Sequence, residues 1–142
     1  MRGTAAVSQA KLAYESFQRT FSGPRWDALA KRGAQLQRPL WASTSTKNPE
    51  YPDTLYVDQL IGPNTVNTLP DSTLEAFLDH GILARTIDQN VDQAHQYWDG
   101  LKHVGINVDE VALQLENEGV GSFQKSFDEL ISALKLKSSD YE

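Results

Sequence analysis

Gln37–Tyr51, QRPLWASTSTKNPEY, and Asp53–Pro70, DTLYVDQLIGPNTVNTLP, decide the fold. In the first, Leu40-Trp41-Ala42-Ser43 is a short apolar run stopped by polar residues, the form of a buried strand in a parallel sheet. In the second, Thr65-Val66-Asn67-Thr68-Leu69 is rich in β-branched residues and closed by Pro70, which reads as another strand. Each run opens at its C-terminal end onto Ser, Thr, Asn or Lys. Consecutive strands of a (β/α)8 barrel have this layout, because the groups that touch substrate stand at the strand ends. A polar loop with Pro49 and Pro52 follows the first run. Thr54–Leu60 fits strand or helix by propensity; Leu55, Val57, Leu60 and Ile61 share one broad face and Gly62-Pro63 ends it, so a short helix is expected.

Upstream, Val7, Ala10, Tyr14, Phe17 and Phe21 recur at helical spacing between Thr4 and Phe21. Ser22-Gly23-Pro24 breaks that helix. A second is expected from Pro24 to Arg32, with Trp26, Leu29 and Ala30 inward and Gly33 as its cap. Downstream, Ser72 and Glu75 have capping-box spacing, Leu74, Phe77 and Leu78 supply a helix face, and Gly81 ends it. Val91, Ala94, Trp98 and Leu101 form a stripe that Gly105 closes. Asp109 is expected to cap a helix carrying Val111, Ala112 and Leu115 and ending at Gly119. Val120, Phe123, Phe127, Leu130, Ile131 and Leu134 make the strongest amphipathic pattern, and Lys137–Glu142 reads as a frayed tail.

With 39% apolar and 23% charged residues, the composition is that of a soluble globular protein rather than a disordered one. A net charge of −6 argues against nucleic acid or an anionic membrane as partner, but leaves room for a local cluster of donors to a small phosphate. The absence of cysteine excludes disulfides, thiolate catalysis and thiolate metal sites and fits a cytoplasmic setting. No apolar run approaches a membrane span. The 142 residues are enough for one ordinary domain, whereas a complete barrel takes about 250. Two strands alone leave both sheet edges bare, so the sequence specifies part of a sheet.

RPLWASTSTKNP and IGPNTVNTLP closely resemble the C-terminal part of the bacterial and plant-type transaldolases. GTAAVSQAKLAY followed by FSGPRWDALAKRGAQLQRPLWAS is similar to that family's sixth barrel helix and seventh strand. LYVDQLIGPNTVNTLP is similar to its seventh helix and eighth strand, LEAFLDHG to the start of its last barrel helix, and LENEGVGSFQKSFDELISAL to its terminal helical region. Ser45 stands where relatives often carry Gly and Leu69 where Met is common; neither change removes a chemical group.

The resemblance implies an α/β fold, mostly helical: the C-terminal part of a (β/α)8 TIM barrel, its last two strands plus terminal helices. Residues 1–142 would be a single partial domain, with 1–85 the last βα units and 86–142 the terminal helices. Transaldolases form a Schiff base between a lysine and a ketose phosphate and pass a dihydroxyacetone unit to an aldose phosphate in the pentose phosphate pathway. They use no metal and no organic cofactor. The strands that carry the lysine, the acid/base carboxylates and the phosphate-holding arginine would precede Met1, so no catalytic residue is assigned here and the isolated chain is expected to be inactive. What carries over is Ser43 and Lys47 as holders of substrate phosphate, with Thr44 close by. The implied partners are sugar phosphates, bound weakly by this chain alone, and a separately encoded N-terminal barrel portion. A non-catalytic remnant or interaction module that keeps only the helical surface is the rival reading.

Taken by their own chemistry, these residues admit plainer roles. Lys47 lies in a polar loop beside Glu50, where the charged amine is favoured; it suits a phosphate contact or a solvated surface position better than a nucleophile, which must lose its proton. Ser43 and Thr44 can donate hydroxyls to phosphate or cap the strand end, and Asn67 and Thr68 can face the barrel mouth or form the turn before Pro70. His80, His95 and His103 share no ligand spacing; His80 and His103 stand near helix-ending glycines, where a cation suits the helix dipole. Asp109, Glu110, Glu116 and Glu118 read as a solvated face. Trp26, Trp41 and Trp98 read as packing residues, with Trp41 near enough to a strand end to line a pocket.

Overall fold

The computed structural model describes residues 3–139. In chain order the elements are α1 (Ala5–Thr20), α2 (Gly23–Ala30), β1 (Leu40–Trp41), α3 (Leu55–Asp58), β2 (Val66–Asn67), α4 (Asp71–His80), α5 (Val91–His103) and α6 (Val108–Ser139). The chain is mostly helical with one small parallel sheet. It divides after Gly100, within α5 and downstream of residue 85, into two compact units.

In the first unit α1 turns its apolar stripe inward: Tyr14 joins Leu60 and Ile87 in the core, with Val7, Ala10, Phe17 and Trp41 packed against them. Ile87 is completely buried. It belongs to residues 81–90, which form no helix or strand yet are tied down at every turn. The amides of Thr86 and Ile87 donate to the Ile61 carbonyl at 3.0 and 3.1 Å. The Thr86 hydroxyl donates to the Asp58 carbonyl at 2.6 Å and accepts from the Ile61 amide, while the Asp58 carboxylate accepts the Ile82 amide at 2.9 Å. From α1, Lys11 Nζ donates to the carbonyls of Thr86 at 3.0 Å and Gln89 at 2.9 Å. These bonds replace a sheet ladder for a segment that has none, as buried backbone groups require. Gly62 is what lets the strap close, because a Cβ there would stand 2.1 Å from Ile87 Cγ2.

The two expected strands pair in parallel, Leu40 opposite Val66 and Trp41 opposite Asn67. They are shorter and less covered than the sequence suggests. β1 ends because Ser43 leaves the extended region, at φ 56°. Leu40 is 53% exposed, since each strand has a single neighbour among the described residues. The short helix expected before the second strand is α3, with Val57 buried.

Several helix ends differ from the sequence expectation. α2 buries nothing; Trp26 meets Phe21 edge-on at 4.8 Å, but Leu29 and Ala30 face solvent. Gly33 closes it at φ 92°, with its amide on the Ala30 carbonyl and that of Ala34 on Leu29. α4 starts one residue before Ser72, behind Pro70, and no side chain caps it, so the Ser72–Glu75 box does not form. Its buried residue is Thr73, while Leu74 is exposed and Leu78 is 75% exposed.

In the second unit α6 runs unbroken for 32 residues through Gly119 and Gly121. Neither glycine takes the left-handed φ that ends α5 at Gly105, so neither acts as a stop. Asn107, not Asp109, caps this helix: its side-chain oxygen accepts the amides of Asp109 at 3.2 Å and Glu110 at 3.4 Å. Lys137–Ser139 are helical rather than frayed, and residues 140–142 of the expected tail lie outside the described residues. The amphipathic pattern is present, yet Val120, Phe123, Phe127, Leu130 and Leu134 are all exposed. Among the described residues no helix is long and apolar enough to cross a membrane.

Replacing Gly62 by Ala forces either Ile87 or the Ile61–Pro63 backbone to move. The expected loss is about 1–3 kcal/mol, the usual cost of overpacking a filled core. Urea unfolding of the variant measures it, and in an Ile87→Ala background, which lacks the Cγ2 methyl, the same Gly62→Ala change should cost less.

Candidate functional site

Between α1, β1 and the turn that leaves β1 the chain forms a cavity of about 530 Å³. One wall is apolar: Ala10 of α1, Trp41 and Leu60, with Tyr51 and Tyr56 beside them. The other is the run Ser43-Thr44-Ser45-Thr46-Lys47-Asn48, which leaves the strand and turns back over its end. Trp41 thus serves two purposes, packing on the core and lining the cavity. Its indole N–H donates to the Leu60 carbonyl at 3.2 Å, which fixes the ring. Ser45, Thr46 and Lys47 also border a second cavity of about 410 Å³ with Asp53 and with Ser72 and Thr73 in the first turn of α4.

The structure brings the three residues singled out from the sequence to one cavity but gives them different surroundings. Ser43 and Lys47 are exposed, whereas Thr44 is 3% exposed. Ser43 holds a left-handed φ of 56°, uncommon for a residue with a side chain. The Thr44 hydroxyl lies 2.7 Å from Asn67 Oδ1 and 3.1 Å from the Thr68 carbonyl, so its single proton is committed to the neighbouring strand. Asn67 and Thr68 therefore act across the strand ends: Thr68 sends its own hydroxyl to the Trp41 carbonyl at 3.3 Å.

The rest of the loop is braced as well. The Thr46 hydroxyl donates to the Pro52 carbonyl at 2.9 Å, and Asn48 Oδ1 accepts the Glu50 amide at 2.9 Å. At its far end Asp53 meets His80 Nε2 at 2.9 Å, while His80 Nδ1 faces Asp79 at 3.1 Å. With a carboxylate on each ring nitrogen the imidazolium is favoured, and the hydrogen bonds it donates to Asp53 and, next in size, to Asp79 raise the His80 pKa. The same bond holds the Asp53 carboxyl below its usual range.

Sequence reasoning gave no site role to Ser45, Thr46, Tyr51 and Tyr56, which lie in the quoted stretches themselves. It also missed Lys11, whose steps to Val7 and Tyr14 place it on the inward stripe of α1. Lys11 is 6% exposed. Burial lowers its pKa, opposed by the charge of Asp88, which is itself paired with Arg85. A lowered pKa is what an amine nucleophile needs. Lys11, however, spends two protons on carbonyls and borders a different, smaller cavity of about 180 Å³, together with Ser8 and Tyr97.

The arrangement suits an anion held at a strand end: an ammonium and hydroxyls on one side, aromatic and aliphatic carbon on the other. The family pattern described as transaldolase/fructose-6-phosphate aldolase matches residues 1–134. The chain belongs to that family. It is 47% identical over 135 residues to a transaldolase of Frankia alni, covering 94% of this chain and 36% of that protein. With a transaldolase of Acidothermus cellulolyticus the identity is 50% over 134 residues, again 94% and 36% of the two chains. With transaldolase 1 of Streptomyces avermitilis it is 47% over 147 residues, covering this whole chain and 39% of the relative. The chain thus spans a little over a third of the length of the curated relatives it matches.

His80 is expected to titrate above the ordinary imidazole value of about 6.5. A pKa raised by folding adds stability that is complete below the unfolded value and is lost as pH rises through the folded one. The tie between Asp53 and α4 should therefore loosen from about pH 6.5 upward. Following the His80 ring protons by NMR against pH measures the shift, and Asp53→Asn should bring the midpoint down.

Proposed function

We propose that this chain is the C-terminal portion of a transaldolase-type (β/α)8 barrel and holds the substrate phosphate for a reaction completed by residues on another polypeptide. The parent chemistry is transfer of a dihydroxyacetone unit from a ketose phosphate to an aldose phosphate through a lysine Schiff base. One observation carries the reading: in a chain of this family, Ser43 and Lys47, on the turn that leaves the C-terminal end of β1, line one cavity. Ser43 offers a hydroxyl and Lys47 an ammonium on a flexible stem, which meets phosphate as a point charge. Thr44 belongs to the same turn. With so few donors the affinity is weak and falls as salt screens the lysine.

The partner in this reading is a polypeptide carrying the remaining barrel strands. Its support is the two-stranded sheet, whose outer edges are unpaired among the described residues, together with the exposed Leu40. Unpaired edges next to apolar side chains are a surface that another strand satisfies.

Two measurements test the reading. In the first, inorganic phosphate and fructose 6-phosphate are titrated into the labelled chain. The amide signals of residues 43–47 should shift, less at higher salt, and the double variant Ser43→Ala, Lys47→Ala should lose the response. Equal shifts in the variant would remove these residues from the site. In the second, the chain is incubated with fructose 6-phosphate and borohydride and then weighed. No sugar adduct is expected on any lysine, Lys11 and Lys47 included, until a polypeptide supplying the other barrel strands is added, after which the adduct should sit on the added polypeptide. A stoichiometric adduct on this chain alone would show that it carries its own nucleophile.

A further inference from the structure

The geometry points to Thr44 and Asn67 as positioning residues: a hydroxyl–amide clasp between the two strand ends that holds Ser43 in its left-handed conformation and so aims the 43–47 turn at its ligand. This rests on the phosphate reading of that turn and changes the part Thr44 plays in it, from a possible donor to phosphate to the residue that places the donors.

The argument begins with the length of the sheet. Only two residues of each strand pair, and the last main-chain bond between the two strand segments runs from the Thr68 amide to the Trp41 carbonyl at 2.9 Å. Beyond it, side chains take over. Thr44, buried to 3% exposure, reaches back across the gap to Asn67 Oδ1 at 2.7 Å and to the Thr68 carbonyl at 3.1 Å. Thr68 returns a hydroxyl bond to Trp41. The amide of Asn67 is oriented in turn, since its Nδ2 donates to the Tyr56 carbonyl at 3.4 Å, an atom that can only accept. Between Trp41 and Thr44, both anchored to β2, lies Ser43 at φ 56°. A residue with a side chain stays in that region when its surroundings hold it there. Here the holders are the β1–β2 pair on one side and the Thr44–Asn67 bond on the other. The clasp also explains why a threonine that lines the cavity is the most buried residue of the turn. Its hydroxyl has no proton left for a phosphate, because both of its partners are acceptors.

Thr44→Val removes the hydroxyl at nearly constant shape, and Thr44→Ser keeps it. The first readout needs no ligand: the coupling between the Ser43 amide and α protons reports its φ. Thr44→Val should lose the left-handed signature that wild type and Thr44→Ser share, while the Trp41 indole signal and far-UV helicity stay unchanged. The second readout is binding of inorganic phosphate, which should weaken about tenfold in Thr44→Val, the scale of one buried hydrogen bond, and stay within about twofold of wild type in Thr44→Ser. Should Thr44→Val fail to fold, Asn67→Ala, which removes the nearer acceptor and leaves Thr44 its bond to the Thr68 carbonyl, should give the same pair of changes in smaller measure. A Thr44→Val protein with the wild-type Ser43 coupling, or a Thr44→Ser protein as impaired as Thr44→Val, overturns the clasp. No response of wild type to phosphate overturns the ligand assignment of the turn, and the Ser43 coupling then decides the clasp by itself.

Discussion

Ile87 can reach Tyr14 and Leu60 only because residue 62 has no side chain. The cavity depends on that contact. Leu60 is at once a core residue and part of the cavity wall, and its carbonyl anchors the Trp41 indole. If Ile87 withdrew, Leu60 would lose its backing, and Trp41 would lose the fixed partner that sets its ring against the polar turn. Close-packed interiors transmit such displacements because they contain little free space to absorb them. The geometry around Ser43 and Lys47 is therefore maintained from behind by a segment that contributes no atom to the cavity.

The elements that carry the site were legible because they follow simple periodicities. Leu40-Trp41 and Val66-Asn67 stand where an apolar or β-branched run meets polar residues, and α1 shows its stripe at helical spacing. The strap was not legible. In Arg85-Thr86-Ile87-Asp88-Gln89-Asn90 a single apolar residue sits among polar ones, and no period marks it as buried. Its burial comes from contacts with residues distant in the sequence, which no window of neighbours contains. Lys11 was overlooked for a related reason. A lysine on an inward stripe is expected to carry its charge to water, whereas here backbone carbonyls of the strap come to the lysine.

Residue type also named the ends of helices better than it placed them. Gly33 and Gly105 close α2 and α5 in the left-handed conformation, whereas Gly119, equally plausible on paper, lies inside α6. A glycine permits a stop without imposing one, and α6 runs through both at a cost of about 1 kcal/mol per glycine. Amphipathy was likewise read correctly as a pattern, but a pattern does not say that a face is covered. Phe123 and Phe127 have the spacing of core residues and the exposure of surface ones.

The link from Lys11 to the strap spans 75 residues to Thr86 and 78 to Gln89. That separation has a kinetic meaning. During synthesis at about 5–20 residues per second, α1 emerges several seconds before the strap that completes its buried side exists. Throughout that interval Tyr14 lacks Ile87, and the Lys11 ammonium lacks its carbonyls. Until the chain returns to it, α1 has only local hydrogen bonds and the aromatic contacts Tyr14–Phe17 and Phe17–Phe21, at centroid distances of 5.7 and 5.2 Å, to favour it. Closure of a loop this long comes late in folding, since the entropy of drawing its ends together is spent before the new contacts return anything. The cavity wall formed by Leu60 and Trp41 is then among the last parts of the first unit to set.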